Sequence, residues 1–314
     1  MVNLIRNENM KIYRRVRTWI MIGFMIFLLI LVNSMERYND GKDAQKGSWQ
    51  ESVAQDKQSR LEILKQKDLD EENRKFNEEQ VAIFDYHLEH NIQTENNTMW
   101  DGINGSAGLI ILITLFTAIV AGDSLAGEFA SGTIKLLLIR PASRLKILVS
   151  KYISVILFGI LLLIILFIVS VVINGILYGF KDINLPLIGI NTDGEVVERS
   201  MVANLWKTYL FSSVSTVMIV SIAFMISSAF RSSAMAIGFS LFSLFAGTIA
   251  SNIIQRFAWS KYFLFANIDL TQHLNGHPYQ EGMTLAFSIV VLSVYFIVFN
   301  LVSWLVFTKR DVAA

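Results

Sequence analysis

The sequence predicts an all-α polytopic membrane protein, and three observations carry that prediction. Apolar residues are gathered into six runs, each long enough to cross a hydrocarbon core of ~30 Å. The polar segments at the two termini and between the second and third runs are short and basic, which is the mark of the cytoplasmic side of a membrane. The longest polar segment, between the first two runs, is acidic and rich in helix formers. Composition agrees: 53% of the 314 residues are hydrophobic and mean hydropathy is +0.48, too apolar for an ordinary soluble domain. A net charge of +1 offers nucleic acid no basic footprint, so no nucleic-acid partner is expected. The absence of cysteine excludes disulfides, thiolate zinc sites and cysteine nucleophiles.

Taken in order, residues 1–17 carry Arg6, Lys11, Arg14, Arg15 and Arg17 against Glu8 and read as a cytoplasmic N-terminal segment. Residues 18–35 form the first span. It ends Val32-Asn-Ser-Met-Glu36 with no small-x-small cleavage pattern, so it reads as a retained helix rather than a signal peptide. Residues 36–102 read as an extracellular helical domain. Within it, 51–93 lacks Gly and Pro, and Leu61, Leu64, Leu69, Phe76, Ile83, Phe84 and Leu88 fall near heptad spacing. One unbroken helix would reach ~60 Å, so a hairpin or a break near Asn73 is expected, with a solvated linker as the competing reading. Residues 103–121 form the second span, 122–147 a basic cytoplasmic segment and 148–178 the third span. Residues 179–204 are a polar extracellular loop with Pro186 and the turn-forming Asn191-Thr-Asp-Gly194. The fourth span, 205–230, is separated from the fifth, 234–254, only by Arg231-Ser-Ser233. Residues 255–282, with Trp259, Tyr262, Phe263 and Phe265, read as a re-entrant or interfacial extracellular segment. The sixth span is 283–307, and 308–314 is a cytoplasmic tail.

Apart from Lys151 and Lys207 near the starts of the third and fourth, the six spans contain no Asp, Glu, Lys, Arg or His. Ion-driven carriers keep such groups in the membrane because charge movement is their energy source; an energy source outside the chain is therefore expected. Gly122-Asp-Ser-Leu-Ala-Gly127 has the glycine spacing of a phosphate-binding loop, but Glu128 stands where lysine is needed and would repel phosphate. With neither HExxH nor GxSxG present, the chain reads as non-enzymatic. Asp269, His273 and His277 stand at i, i+4 and i+8, a metal-capable face on an unbroken helix, although Asn275-Gly276 and Pro278 would end that helix and leave interfacial histidines. Ser212, Ser213, Ser215 and Thr216 in the fourth span, with Gly238 and Gly247 in the fifth, read as a candidate substrate path or dimer face, intrachain packing being the alternative.

The segment between spans two and three carries a resemblance. Glu128-Phe-Ala-Ser-Gly-Thr133, Leu136-Leu-Leu138, Pro141-Ala-Ser-Arg144 and Lys151, with the ending Phe307-Thr-Lys-Arg-Asp311, resemble the signature of ABC-2-type transporter permeases. That resemblance implies the transmembrane subunit of a bacterial exporter, with six transmembrane helices and a cytoplasmic coupling helix between spans two and three. Glu128, Gly132, Thr133, Leu137, Pro141, Ser143, Arg144 and Lys151 would then couple to a cytosolic ATP-binding cassette subunit. The cofactors, ATP and Mg, would be bound by that partner and none by this chain. A second permease protomer, identical or paralogous, and membrane lipid complete the implied partners. The cargo would be hydrophobic or amphipathic, such as a peptide antibiotic or lipid. Two rivals stay open: a membrane sensor or assembly scaffold using the same ATPase contact, and an ion-coupled carrier. The long 36–102 insertion departs from short-looped members of the family.

Overall fold

The computed structural model describes residues 1–43, 48–66, 68–69, 71–135, 142–191, 194–274, 276 and 278–309. Six stretches of helix are long and apolar enough to cross a bilayer: Val16–Asp40, Met99–Ala130, Arg144–Tyr178, Met201–Ala229, Ser233–Ile254 and Leu285–Lys309. The chain is a predominantly helical, multi-pass membrane protein.

The described residues form two compact units. The first comprises 1–26, 108–166 and 208–309. It opens with a short helix, α1 (Val2–Tyr13), where the sequence gives only a basic tail. Helix α2 (Val16–Asp43) follows after a two-residue turn. The second span is interrupted at Gly108–Leu109, between α5 (Met99–Ala107) and α6 (Ile110–Ala130). Helix α6 also continues past the expected boundary at Ala121. Residues 122–130, read from sequence as surface, are helical, and Gly122, Asp123, Leu125 and Ala126 are buried. The helix stops where Gly132 turns to φ +72°, with Gly132 N–H on Phe129 O at 3.2 Å and Ser131 N–H on Gly127 O at 3.0 Å. A left-handed residue after the last turn suits glycine because it has no Cβ to clash.

Helix α7 (Arg144–Tyr178), α8 (Met201–Ala229), α9 (Ser233–Ile254) and α11 (Leu285–Lys309) supply the remaining spans. Ser232 caps α9, its side chain accepting from Met235 N–H. The inter-span segment after α9 is built from a 3-10 turn (Ala258–Tyr262), the single-turn helix α10 (Leu264–Asn267) and a second 3-10 turn (Leu270–His273). Leu125, Ile134, Ile147, Leu148, Phe224 and Phe307 form a buried cluster joining the ends of α6, α7, α8 and α11. Helices α6 and α9 approach closely at Gly122, where a Cβ would lie 3.2 Å from Ile237 Cα and 3.3 Å from Ala236 O. By contrast only 11% of the apolar window of α11 is buried, which leaves that helix to face lipid or another chain.

The second unit comprises 27–107 and 167–207. Its helical insertion is a hairpin, α3 (Trp49–Leu64) and α4 (Glu71–His90). Ser48 and Glu51 form a capping box that starts α3. Antiparallel packing is fixed by Gln50–Asn91 at 3.3 Å, Lys57–Asp85, and Arg60–Asn77 at 3.2 Å. The hairpin forms with Asn73 in the first turn of α4, its carbonyl accepting from Asn77 Nδ2 at 2.6 Å. The 179–204 loop contains an antiparallel pair, β1 (Pro186–Ile190) and β2 (Val196–Ser200), with Pro186 opposite Ser200 and Ile190 opposite Val196. The turn sits where Asn191 and Gly194 predicted it, Gly194 at φ +82°, flanked by β-branched residues that favour strands. Tyr86 of α4 donates to Glu198 of β2 at 3.2 Å.

Candidate functional site

Charged side chains from α1, α6 and α7 interlock within the first unit. Lys151 is 3% exposed, and its Nζ donates to Glu8 Oε2 at 2.7 Å and to Glu128 Oε1 at 3.1 Å. Lys11 faces the same two carboxylates, donating to Glu128 Oε1 at 2.6 Å and pairing with Glu8 Oε1 at 3.0 Å. The four form a closed ring in which every neighbour has opposite sign. Thr133, just beyond the end of α6, donates its hydroxyl to Glu128 Oε2. One turn earlier on α6, Asp123 accepts from Arg15, Arg17 and the Ser233 hydroxyl. Gly127 leaves room for that carboxylate, since a Cβ there would lie 2.6 Å from Asp123 Oδ1. Ser154 Oγ reaches back to Ile5 O at 3.2 Å, a further tie between α7 and α1.

The helical periodicity of α1 explains the placement. Leu4, Ile5, Glu8, Lys11 and Ile12 lie on its enclosed side, while Val2, Arg6, Met10 and Arg14 recur at four-residue intervals on the exposed side. Burial opposes the charge on Lys11, but its bonds to Glu128 and Glu8 outweigh that effect and hold its pKa above the ordinary lysine value. Its contribution to stability is therefore complete below that ordinary value and is lost only as pH rises through the raised one. Deleting one partner from such a ring strands a desolvated charge, whereas the intact ring is roughly neutral for stability. Its consequence is positional: α1, the end of α6 and the start of α7 move together or separate at a cost.

The ring borders a cavity of about 30 Å³ lined by Glu8, Lys11, Arg15, Glu128, Lys151 and Ser154 among others. That volume admits one or two waters and no larger ligand. Among the described residues no three His, Cys, Asp or Glu side chains converge as a metal set.

The model of a family described as protein of unknown function (DUF2705) matches residues 72–313. The chain belongs to the DUF2705 family. It is 43% identical to the uncharacterized protein YhcI of Bacillus subtilis (strain 168), across the full length of both chains. It is 30% identical to the uncharacterized membrane protein YdbK of the same organism, over 65% of this chain and 79% of that one. The family match takes in Asp123, Glu128 and Lys151, and begins beyond Glu8 and Lys11.

Of the residues that the permease resemblance singled out, Glu128, Thr133 and Lys151 are brought together. Gly132 is the helix stop. Ser143 Oγ accepts from Lys146 N–H at 3.4 Å at the start of α7, and Arg144 donates to Thr308 O at 2.8 Å at the end of α11. Leu137 and Pro141 lie outside the described residues, as does His277. Asp269 caps the second 3-10 turn by accepting from Thr271 N–H at 2.9 Å, and His273 bonds to Ser288 Oγ at 3.0 Å. Thr216 is paired with Thr114 at 2.8 Å, Ser213 donates to Leu210 O at 2.6 Å within its own helix, and Ser215 donates to Ile268 O. Ser212 is half-buried. Gly247 is covered by the Phe265 ring, 2.1 Å from its would-be Cβ, whereas Gly238 has no neighbour there within 4 Å. Glu8, Lys11, Arg15, Arg17 and Asp123 were not singled out from sequence as site residues; the signals were a lone acid among the N-terminal bases and a lone acid at the edge of an apolar run.

Proposed function

We propose that this chain is the permease subunit of an ATP-driven ABC-2-type exporter in a bacterial plasma membrane, with both termini cytoplasmic. The observation that carries the reading is the ion-paired ring. Three residues of the signature-like stretch, Glu128, Thr133 and Lys151, converge on one another although 23 residues separate Glu128 from Lys151. In this reading a cytosolic cassette ATPase pushes on the segment between α6 and α7. Glu128 and Lys151 pass that displacement to α1 and α7, and Arg144 passes it to α11 through Thr308. A second protomer would complete the pathway, and the apolar outer faces of α9 and α11 suit a hydrophobic or amphipathic cargo. The paired state of the ring charges, Glu8, Lys11, Glu128 and Lys151, agrees with an external energy source, since a proton- or ion-coupled carrier needs a group free to change charge.

The cysteine-free chain allows a direct test. Lys135→Cys, exposed beside the proposed contact, is expected to react with a membrane-impermeant thiol reagent only in inverted vesicles and to crosslink to a copurifying cassette ATPase. Labelling from the outer side, or complete transport by the purified chain alone, would overturn the reading. The helical hairpin braced against β2 by Tyr86–Glu198 also fits a sensor coupled to the same ATPase. Ligand-stimulated ATP hydrolysis without flux in proteoliposomes would select that alternative.

A further inference from the structure

Within the second unit, a row of side-chain oxygens meets two glycines. Gly102 and Gly105 share one face of α5. A Cβ at Gly102 would lie 1.9 Å from Asn174 Oδ1 and 2.9 Å from Asn33 Oδ1, and a Cβ at Gly105 would lie 3.3 Å from Glu36 Oε1. The bare glycine surface is what admits these oxygens. Asn33 and Asn174 are both 0% exposed. The Asn174 amide nitrogen donates to Ser170 O at 3.0 Å, and its Oδ1 has no hydrogen-bond partner among the described residues. Folded proteins rarely leave a buried acceptor unmet. Two more carboxylates extend the row, since Glu36 lies within electrostatic reach of Asp40 and Asp101. Asp40 accepts from the Tyr178 hydroxyl, and Arg37 is stacked over the Tyr178 ring at 5.0 Å. Among the described residues Glu36 makes no hydrogen bond or ion pair.

We propose that this row is a binding site for an organic ammonium ion carried on an apolar body. The carboxylates supply the opposite charge, and the Asn174 and Asn33 carbonyl oxygens supply acceptors for the N–H donors. Exposed apolar side chains on the helices that carry Asn33 and Asn174, Leu31 and Met35 on α2 and Val172 and Ile176 on α7, offer a surface for the body of the ligand. An anion is repelled. A bare metal ion fits less well, because the acids do not converge as a metal set among the described residues and the oxygens are strung along α5 instead of closing around a point. The site shares no residue with the proposed ATPase contact, so failure to copurify a cassette subunit leaves this proposal standing.

The test uses the purified full chain in detergent, titrated with n-octylammonium chloride, n-octanol or spermidine at matched ionic strength, reading calorimetric binding and the unfolding midpoint. Octylammonium is expected to bind saturably and stabilise, with octanol showing neither effect and spermidine binding more weakly. Glu36→Gln is isosteric and loses no described bond; it should weaken octylammonium binding about tenfold or more. Asp101→Asn serves the same purpose should Glu36→Gln fold poorly, and Asn174→Ala should weaken binding several-fold. Glu62→Gln on the exposed side of α3 should leave affinity unchanged. Equal affinity in the wild type and both carboxylate variants, or no saturable response, overturns the site. Stronger binding of spermidine than of octylammonium overturns the apolar-body requirement.

Discussion

Replacing Lys151 with methionine tests the ion-paired ring most directly. The ammonium is buried between Glu8 at 2.7 Å and Glu128 at 3.1 Å, and methionine keeps most of the side-chain volume while removing the charge. Deleting one member of a buried pair costs about 3–5 kcal/mol because its partner stays desolvated and unpaired. Here Lys11 still reaches both carboxylates, at 3.0 and 2.6 Å, which offsets part of the loss; a net destabilisation of about 2–3 kcal/mol is expected. Lys11→Met should cost less, about 1 kcal/mol or below, because its side chain is 35% exposed and solvent screens the pair. Unfolding midpoints of the purified chain in one detergent give the comparison. The double variant Glu128→Gln with Lys151→Met should lose less than the sum of the single variants, as expected of groups in contact. A Lys151→Met protein within about 0.5 kcal/mol of the wild type, or one no weaker than Lys11→Met, would refute the reasoning.

Three further outcomes follow from the same geometry. Gly122→Leu should lower the unfolding midpoint sharply, by the equivalent of about 1–3 kcal/mol, since the backbone of α9 at Ile237 cannot retreat as a side chain would; Gly238→Ala, with open space around it, should be neutral or stabilising through helix propensity, and a midpoint that falls equally in both would sink the packing argument. Burial holds the Glu95 carboxyl above its ordinary pKa, the charge of Asp101 adding to the effect and its bond from Asn104 at 2.7 Å only partly opposing it. The folded state therefore binds the extra proton, so this contribution is full below the ordinary glutamate value and is lost as pH rises through the raised one. Glu95→Gln should accordingly raise the midpoint at neutral pH and flatten its acid-side gain, which pH-dependent melting would reveal. Gly247→Ala should destabilise by about 1–3 kcal/mol because the Phe265 ring occupies the space of its Cβ; an unchanged midpoint would mean that the ring is not held there.

The six helices long and apolar enough to cross a bilayer were legible in the sequence because such a helix is specified by composition over a stretch of chain, which needs no knowledge of neighbours. The hairpin in the insertion was legible for a similar reason: heptad-like apolar spacing in a stretch without Gly or Pro leaves two helices little choice but to pair. The Asn191–Gly194 turn was legible from local chemistry, yet the strands flanking it were not, since short apolar runs do not declare a strand without a partner in register. The charged site was half legible. Glu128 and Lys151 stood out by resemblance, but Lys11, Arg15 and Arg17 read as a solvated basic flank under a rule that counts charges without asking what they face.

Sequence alone determined that this chain carries six segments long and apolar enough to cross a bilayer and which residues carry charge at their edges, because both follow from local transfer energetics. Only the tertiary structure decided that Glu8 meets Lys151 across 143 positions and that Glu128 meets Lys11 across 117. It also decided that Gly122, and not Gly238, is where two helices touch. Those pairings depend on the rotation of each helix about its axis, and a turn of ~100° per residue separates a buried ion pair from a side chain in water.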